Sequence, residues 1–182
     1  MRIVGLDLSL TATGVAIVSS RVTVHTVTSK GSKDATLDQR AERLAGLVGD
    51  TLYGARCGAL GVKADLVVIE QPAFSRTTGH HHDRSGLWWL VVDAMRVNSF
   101  PVVEVTPSGL KKYATGRGNA GKDEVLLAVA RRFPDVEVTN NNEADALVLA
   151  AMGARYLGRP IDDMPKSHLT ALDAVRWSEV TL

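Results

Sequence analysis

Apolar residues in this chain fall into short runs with two rhythms, and the rhythm changes at turn-forming residues. Ile3-Val4-Gly5-Leu6-Asp7-Leu8 is a nearly continuous apolar run with an acid inside it. Ser9-Leu10-Thr11-Ala12-Thr13-Gly14 is small, hydroxylated and turn-prone, and Val15-Ala16-Ile17-Val18 then resumes the run. The opening therefore predicts a β-hairpin. Val22 to Thr28 alternates with period two and predicts a third strand, antiparallel to the second. A helix follows from about Asp34 to Tyr53, with Leu37, Ala41, Leu44, Leu47 or Val48, and Leu52 on one face. Gly46 and Gly49 weaken it intrinsically, so packing must hold it.

Beyond a glycine-bearing connector, Cys57 to Lys63, the run Ala64 to Glu70 is continuously apolar and ends in an acid. That pattern suits a central parallel strand covered on both faces. Gln71-Pro72 stops it, and Ala73 to Asp83 reads as a polar loop containing Phe74, Arg76 and His80-His81-His82. The helix predicted over Arg84 to Asn98 is apolar nearly all round. Neighbours on a helix point about 100° apart, so Trp88 and Trp89 cannot both bury against one surface of a small domain. Pro101 to Val105 is a short strand, and Thr106-Pro107 opens a helix with Thr106 as N-cap. The Gly-rich segment Thr115 to Lys122 leads into a helix ending at Arg132. A final helix runs from near Asn142 to about Leu157, followed by a tail with an amphipathic piece at Leu169 to Val175. Three antiparallel strands, then helix, strand, helix, strand and helices describe an α/β domain on a mixed sheet.

Composition narrows the classes. The 182 residues, 45% hydrophobic and 23% charged, suit one globular domain over 1–157 with an extension of unassigned role over 158–182. No stretch of about eighteen apolar residues exists, which argues against a membrane span. The N-terminus lacks the regions of a signal peptide, and Cys57 is the sole cysteine, so a reducing cytoplasm is the expected setting. Net charge is +1, but Val105 to Lys122 holds Lys111, Lys112, Arg117 and Lys122 with no acid, while residues 133–165 are acidic. Such asymmetry fits a phosphate-binding surface beside a metal-binding one, and solvated charged faces also produce it.

Three carboxylate sites stand out: Asp7 in the first strand, Glu70 at the end of the fourth, and Glu143-Ala144-Asp145 opening the last helix. An acid in an apolar strand needs a partner, which for Asp7 alone could be the turn hydroxyls. Acids at strand ends of an open α/β sheet sit where ligands usually bind. Three carboxylates aimed at one point repel one another unless a cation lies between them, and hard oxygen donors favour Mg²⁺ or Mn²⁺.

The ordered pieces Gly5-Leu6-Asp7-Leu8-Ser9, Ile69-Glu70-Gln71, Val103-Glu104-Val105-Thr106-Pro107, Thr115 to Lys122 and Glu143 to Leu147 resemble those of the RuvC-type Holliday-junction resolvases. These belong to the ribonuclease H-like superfamily, and this sequence resembles a divergent phage or bacterial member. The resemblance implies a mixed five-stranded sheet, three antiparallel strands then two parallel, with helices on both faces. It implies a homodimer that nicks paired strands of a four-way DNA junction, and the all-round apolarity of the helix containing Trp88 and Trp89 makes that helix the expected seam. Asp7, Glu70, Glu143 and Asp145 would hold two Mg²⁺ ions, with Mn²⁺ able to substitute. Lys122 would neutralise charge on the scissile phosphate. Phe74, Arg76, Lys111, Lys112 and Arg117 would contact DNA, Phe74 by stacking in the junction or, alternatively, as a small hydrophobic anchor.

This sequence departs from the family where Asn142 stands three residues before Asp145, a place usually held by an acid or histidine. Residues three apart share a helix face and residues two apart do not, which leaves Glu143 usable only if it lies in the cap. A purely structural reading makes Asn142 the N-cap and Asp145 its capping-box partner. The His80-His81-His82 run reads as a solvated loop, with DNA phosphate as a second possibility. Two competing readings follow: a junction-binding module with weak or no cleavage, and a fragment of a sugar-kinase or actin-like ATPase. The second lacks the further Asp-Gly phosphate motif and the length that two enclosing domains require.

Overall fold

The computed structural model describes residues 1–55, 63–72 and 80–177. β1 (Ile3–Asp7), β2 (Ala12–Val18) and β3 (Val22–Thr28) form an antiparallel meander. β4 (Leu66–Glu70) pairs parallel with β1, and β5 (Val102–Val105) parallel with β4, giving the order β3-β2-β1-β4-β5. The central strands β1 and β4 are buried on both faces apart from Glu70 at the end of β4, as their unbroken apolar runs require.

α1 (Leu37–Ala55) and α2 (His81–Val97) cover one face of the sheet. α2 buries Leu87, Val91 and Met95, a spacing of four that keeps one stripe against the strands. The other face carries α3 (Pro107–Thr115), α4 (Lys122–Arg132) and α5 (Asn141–Tyr156). α5 is the central helix, buried along nearly its whole length against β1, β2 and β4. Its close approach depends on glycine: a Cβ at Gly5 would fall 2.0 Å from the Ala146 carbonyl oxygen and 2.6 Å from the Ala150 amide.

Thr106 caps α3 as its sequence predicts, its Oγ1 accepting from the Gly109 amide at 3.1 Å with Pro107 at the first helical position. Three helix starts differ from expectation, the first being α1, which begins at Leu37 rather than about Asp34. α2 begins at His81, so His81 and His82 belong to its first turn rather than to a loop. α5 is capped by Asn140, whose Oδ1 accepts from the Glu143 amide at 3.0 Å, and not by Asn142.

The segment after α5 packs into the same core. Tyr113 on α3 donates to Asp162 at 3.0 Å and accepts from Arg155 Nε at 3.0 Å, and a short helix α6 (Lys166–Leu169) brings His168 Nδ1 to 2.9 Å from the Tyr113 carbonyl. The rings of Tyr156 and Trp177 stack with centroids 4.4 Å apart. Among the described residues, no helix is long and apolar enough to cross a membrane.

Candidate metal and phosphate site

β1 and β4 run parallel with Leu6 opposite Ile69, so the residues that follow, Asp7 and Glu70, emerge at the same end of adjacent strands. Asp7 is buried, and its strand partner is Gly14 on β2. The backbone at Glu70 is fixed twice. Its carbonyl accepts from Trp88 Nε1 at 2.9 Å, and the next amide, Gln71, donates to the Val105 carbonyl at 2.8 Å. α5 brings Asp145 to the same place from above the sheet, in electrostatic contact with both Asp7 and Glu70.

The charge state shows how crowded the three acids are. Burial, reinforced by Glu70 and Asp145, pushes the Asp7 carboxyl up to about 9. It therefore keeps its proton at neutral pH and donates it in a hydrogen bond to Glu70. Asp145 is pushed up to about 7 by burial and by Glu70. Glu70 is raised chiefly by burial, with the Asp7 hydrogen bond, Lys122 and Lys111 opposing. Lys122, the first residue of α4, thus faces all three acids, while Lys111 on α3 faces Glu70 and Asp145.

A divalent cation fits the chemistry of this donor set: hard oxygens that retain protons because burial disfavours their charges, with repulsion from neighbouring acids adding to it at Asp7 and Asp145. Among the described residues, no group of three acid, histidine or cysteine side chains is placed to hold a metal ion as it stands. Charge, rather than preformed coordination, is the observation that points to an ion.

Glu143 is not brought to this cluster, and its expected place among the ligands is corrected. With Asn140 as cap, Glu143 occupies the third helical position and turns back over the helix start. Its Oε2 accepts from the Thr139 amide and hydroxyl, both at 2.8 Å, and its Oε1 from Thr26 Oγ1 at 2.8 Å. These hydrogen bonds outweigh burial and hold the carboxyl below its usual range. Asn142, at the usual fourth position, donates its amide to the Ala12 carbonyl at 2.7 Å, which ties α5 to β2. Sequence reasoning missed Asn140 and Thr26. The Asn-x-x-Glu spacing of Asn140 and Glu143 was the available signal.

The remaining expected contacts separate. Arg117 pairs with Glu124 at 2.6 Å, both exposed. Lys112 is half-buried in the last turn of α3, and the carboxylates feel Lys111 and Lys122 instead. Phe74 and Arg76 lie outside the described residues.

A mixed sheet with this strand order, covered by helices on both faces and carrying acids at the ends of β1, β4 and on α5, defines a ribonuclease H-like domain. Comparison places it more narrowly. No family model matches the chain. It is 28% identical over 167 residues to the crossover junction endodeoxyribonuclease RuvC of Rhizobium rhizogenes, spanning 87% of this chain and 91% of that protein. A Thermus thermophilus RuvC structure superposes with a TM-score of 0.65 at 20% identity, covering 90% of this chain and 100% of that one. T. thermophilus RuvC in complex with Holliday junction substrate gives 0.63 at 21% identity, covering 90% and 99%. Over most of its length the chain is thus similar to RuvC proteins, and it shares their ribonuclease H-like fold.

Proposed function

We propose that this protein is a structure-selective DNA endonuclease that resolves four-way junctions by paired nicks. The observation that carries the reading is the convergence of Asp7, Glu70 and Asp145 from three separate segments, with two of them held protonated or nearly so at neutral pH. The RuvC relatives and the structural similarity to a RuvC–junction complex support it.

Asp7, Glu70 and Asp145 would hold Mg²⁺, two ions per site, with Mn²⁺ able to substitute. Bound there, the metal supplies Lewis-acid stabilisation of the phosphodiester and lowers the pKa of attacking water. The chain's own residues do the rest. Lys122 and Lys111 bring positive charge toward the acids and are placed to offset charge building on the scissile phosphate. The Trp88 hydrogen bond fixes where Glu70 leaves the strand. The protein would act as a homodimer through α2, so that two sites face opposing strands of one junction. Arg76, Phe74, Lys112 and Arg117 remain candidates for contacts to the DNA arms.

A second reading, a junction-binding module with weak or no cleavage, draws on Asn142, which supplies no charge and spends its amide on Ala12. Incubation of the full chain with an end-labelled four-way junction and Mg²⁺ separates the two. Cleavage is expected, and Asp7→Asn, Glu70→Gln and Asp145→Asn should each reduce it at least about 10²-fold while leaving junction binding in place. Normal cutting by these variants would show that the site is wrongly assigned. Binding without any cutting by the parent chain would favour the module.

A further inference from the structure

The carboxylate site is not the only place where this fold gathers charge. On the α1–α2 side of the sheet, between the β3–α1 connection and the start of α2, lies a cleft of about 450 Å³. Lys30, Lys33, Arg40, Arg43, His80 and His82 line it, and Asp83 is the one acid on its wall among the described residues. Asp34 and Asp38, close in sequence, do not line it.

The single acid is already committed. Asp83 accepts from Arg40 through both carboxylate oxygens, Oδ2 at 3.0 Å from Nε, and also faces His80 Nδ1 at 3.6 Å. Among the described residues, Lys30, Lys33 and Arg43 therefore have no carboxylate partner. Arg43 is nonetheless held in place by neutral oxygens. Its Nε donates to Ser29 Oγ at 2.9 Å, and its Nη2 donates to the Leu10 carbonyl. The guanidinium lies so close over Gly31 that a Cβ there would fall 2.1 Å from Nη1. An immobilised, uncompensated guanidinium flanked by two exposed lysines in a concave wall focuses a field that attracts anions.

The shape of the wall selects among anions. Among the described residues its largest apolar side chain is Ala35, and these offer no surface to bury a sugar or an aromatic ring as a small-molecule pocket would. Several cations spread along a cleft suit a polymer of phosphates better than a single ion. The cleft is also tied to the candidate active site, because Leu10, which anchors Arg43, lies three residues beyond Asp7 in the β1–β2 turn. We propose that this cleft is a second DNA-backbone site, gripping an arm of the junction as it leaves the carboxylates. The proposal rests on the nuclease reading above.

The test compares the full chain with two charge-matched double variants. Lys30→Glu with Lys33→Glu reverses charge on the cleft, and Arg159→Glu with Lys166→Glu makes the same change on the exposed segment around α6. The cleft variant should bind a four-way junction about tenfold more weakly at low salt, and its slope of log K against log salt should fall by about 2. It should keep the rise in melting temperature that Mg²⁺ produces, showing that fold and carboxylates are intact. The matched variant should bind nearly as the parent does. A cleft variant that binds like the matched one overturns the second site alone. A parent chain that binds no junction overturns the nuclease reading and this inference together.

Discussion

At Asp7 the fold accepts a carboxyl group that would be more stable elsewhere, and the pH dependence follows from that. Its pKa of about 9 lies far above the ordinary 3.8, so between those values the native state holds a proton that the unfolded chain has released. Its contribution to stability is therefore complete at low pH and is lost as pH rises toward 9, with Asp145 acting in the same direction up to about 7. A cation that binds the deprotonated acids must displace those protons, so its affinity rises with pH. Thermal melts in a chelating agent should show the melting temperature falling from pH 6 to pH 8.5. Excess Mg²⁺ should restore it, with a larger increment at pH 8.5. An equal Mg²⁺ increment at both values would argue against the acids as its ligands. Glu143 has the opposite sign: its depressed pKa adds stability above about 4.5, which is lost as pH falls through the native value. Glu143→Ala should cost about 2 kcal/mol in denaturant unfolding, because the Thr139 amide and Thr26 hydroxyl lose their acceptor. It should leave the Mg²⁺ increment in place, which a metal ligand would not.

Among the elements, α5 against β1 decides whether the acids meet at all. Ala146 and Ala150 pack their backbones where a side chain on Gly5 would go, one residue beyond Asp145 and two before Asp7. No flexible side chain can yield there, so Gly5→Ala should cost about 3 kcal/mol and abolish the Mg²⁺ increment by parting strand from helix. Gly46 in α1 is the internal control. Nothing lies within 4 Å of its would-be Cβ, so Gly46→Ala should stabilise by about 0.5–1 kcal/mol, read from the same denaturant curves. The strands and the α3 cap were legible in the sequence because each rests on local chemistry: unbroken apolar runs in β1 and β4, alternation in β3, and Thr106-Pro107 at a helix start. The start of α5 was not, because Asn140, Asn141 and Asn142 are equally good caps in isolation. Tertiary contacts chose between them: Asn140 Nδ2 donates to Thr26 Oγ1 at 2.9 Å, from a strand 114 residues away. That shift of two positions turned Glu143 toward Thr26 and left Asp145 facing the strands. The α2 start was hidden for a related reason. His80 holds a left-handed conformation with no capping side chain, which no residue type in the histidine run announces.

For the molecule as a whole, α2 poses the question of assembly. Its two tryptophans part company as helical geometry demands, their rings meeting edge to face at 4.9 Å. Trp88 turns inward to the Glu70 carbonyl, while Trp89 is 65% exposed in company with Leu90 and with Val97 at 72%. An apolar groove of about 620 Å³ opens beside them, walled by Trp88, Trp89, Val92 and Phe100. Large apolar groups gathered on one exposed face mark a surface that buries on association. A dimer formed there has a mechanical consequence. Two nicks in opposing strands of one junction require two sites held on it together, whereas a lone protomer must leave and rebind between cuts. Trp89→Lys places a charge on the exposed face without touching the Trp88 hydrogen bond. It should sediment as a monomer at the micromolar concentration where the parent is expected to sediment as a dimer. On a supercoiled plasmid that extrudes a cruciform, the parent should yield linear product, and Trp89→Lys should accumulate singly nicked circles. If the variant keeps the parent's mass and still linearises the plasmid, pairing of the two cuts must be arranged by some other surface than α2.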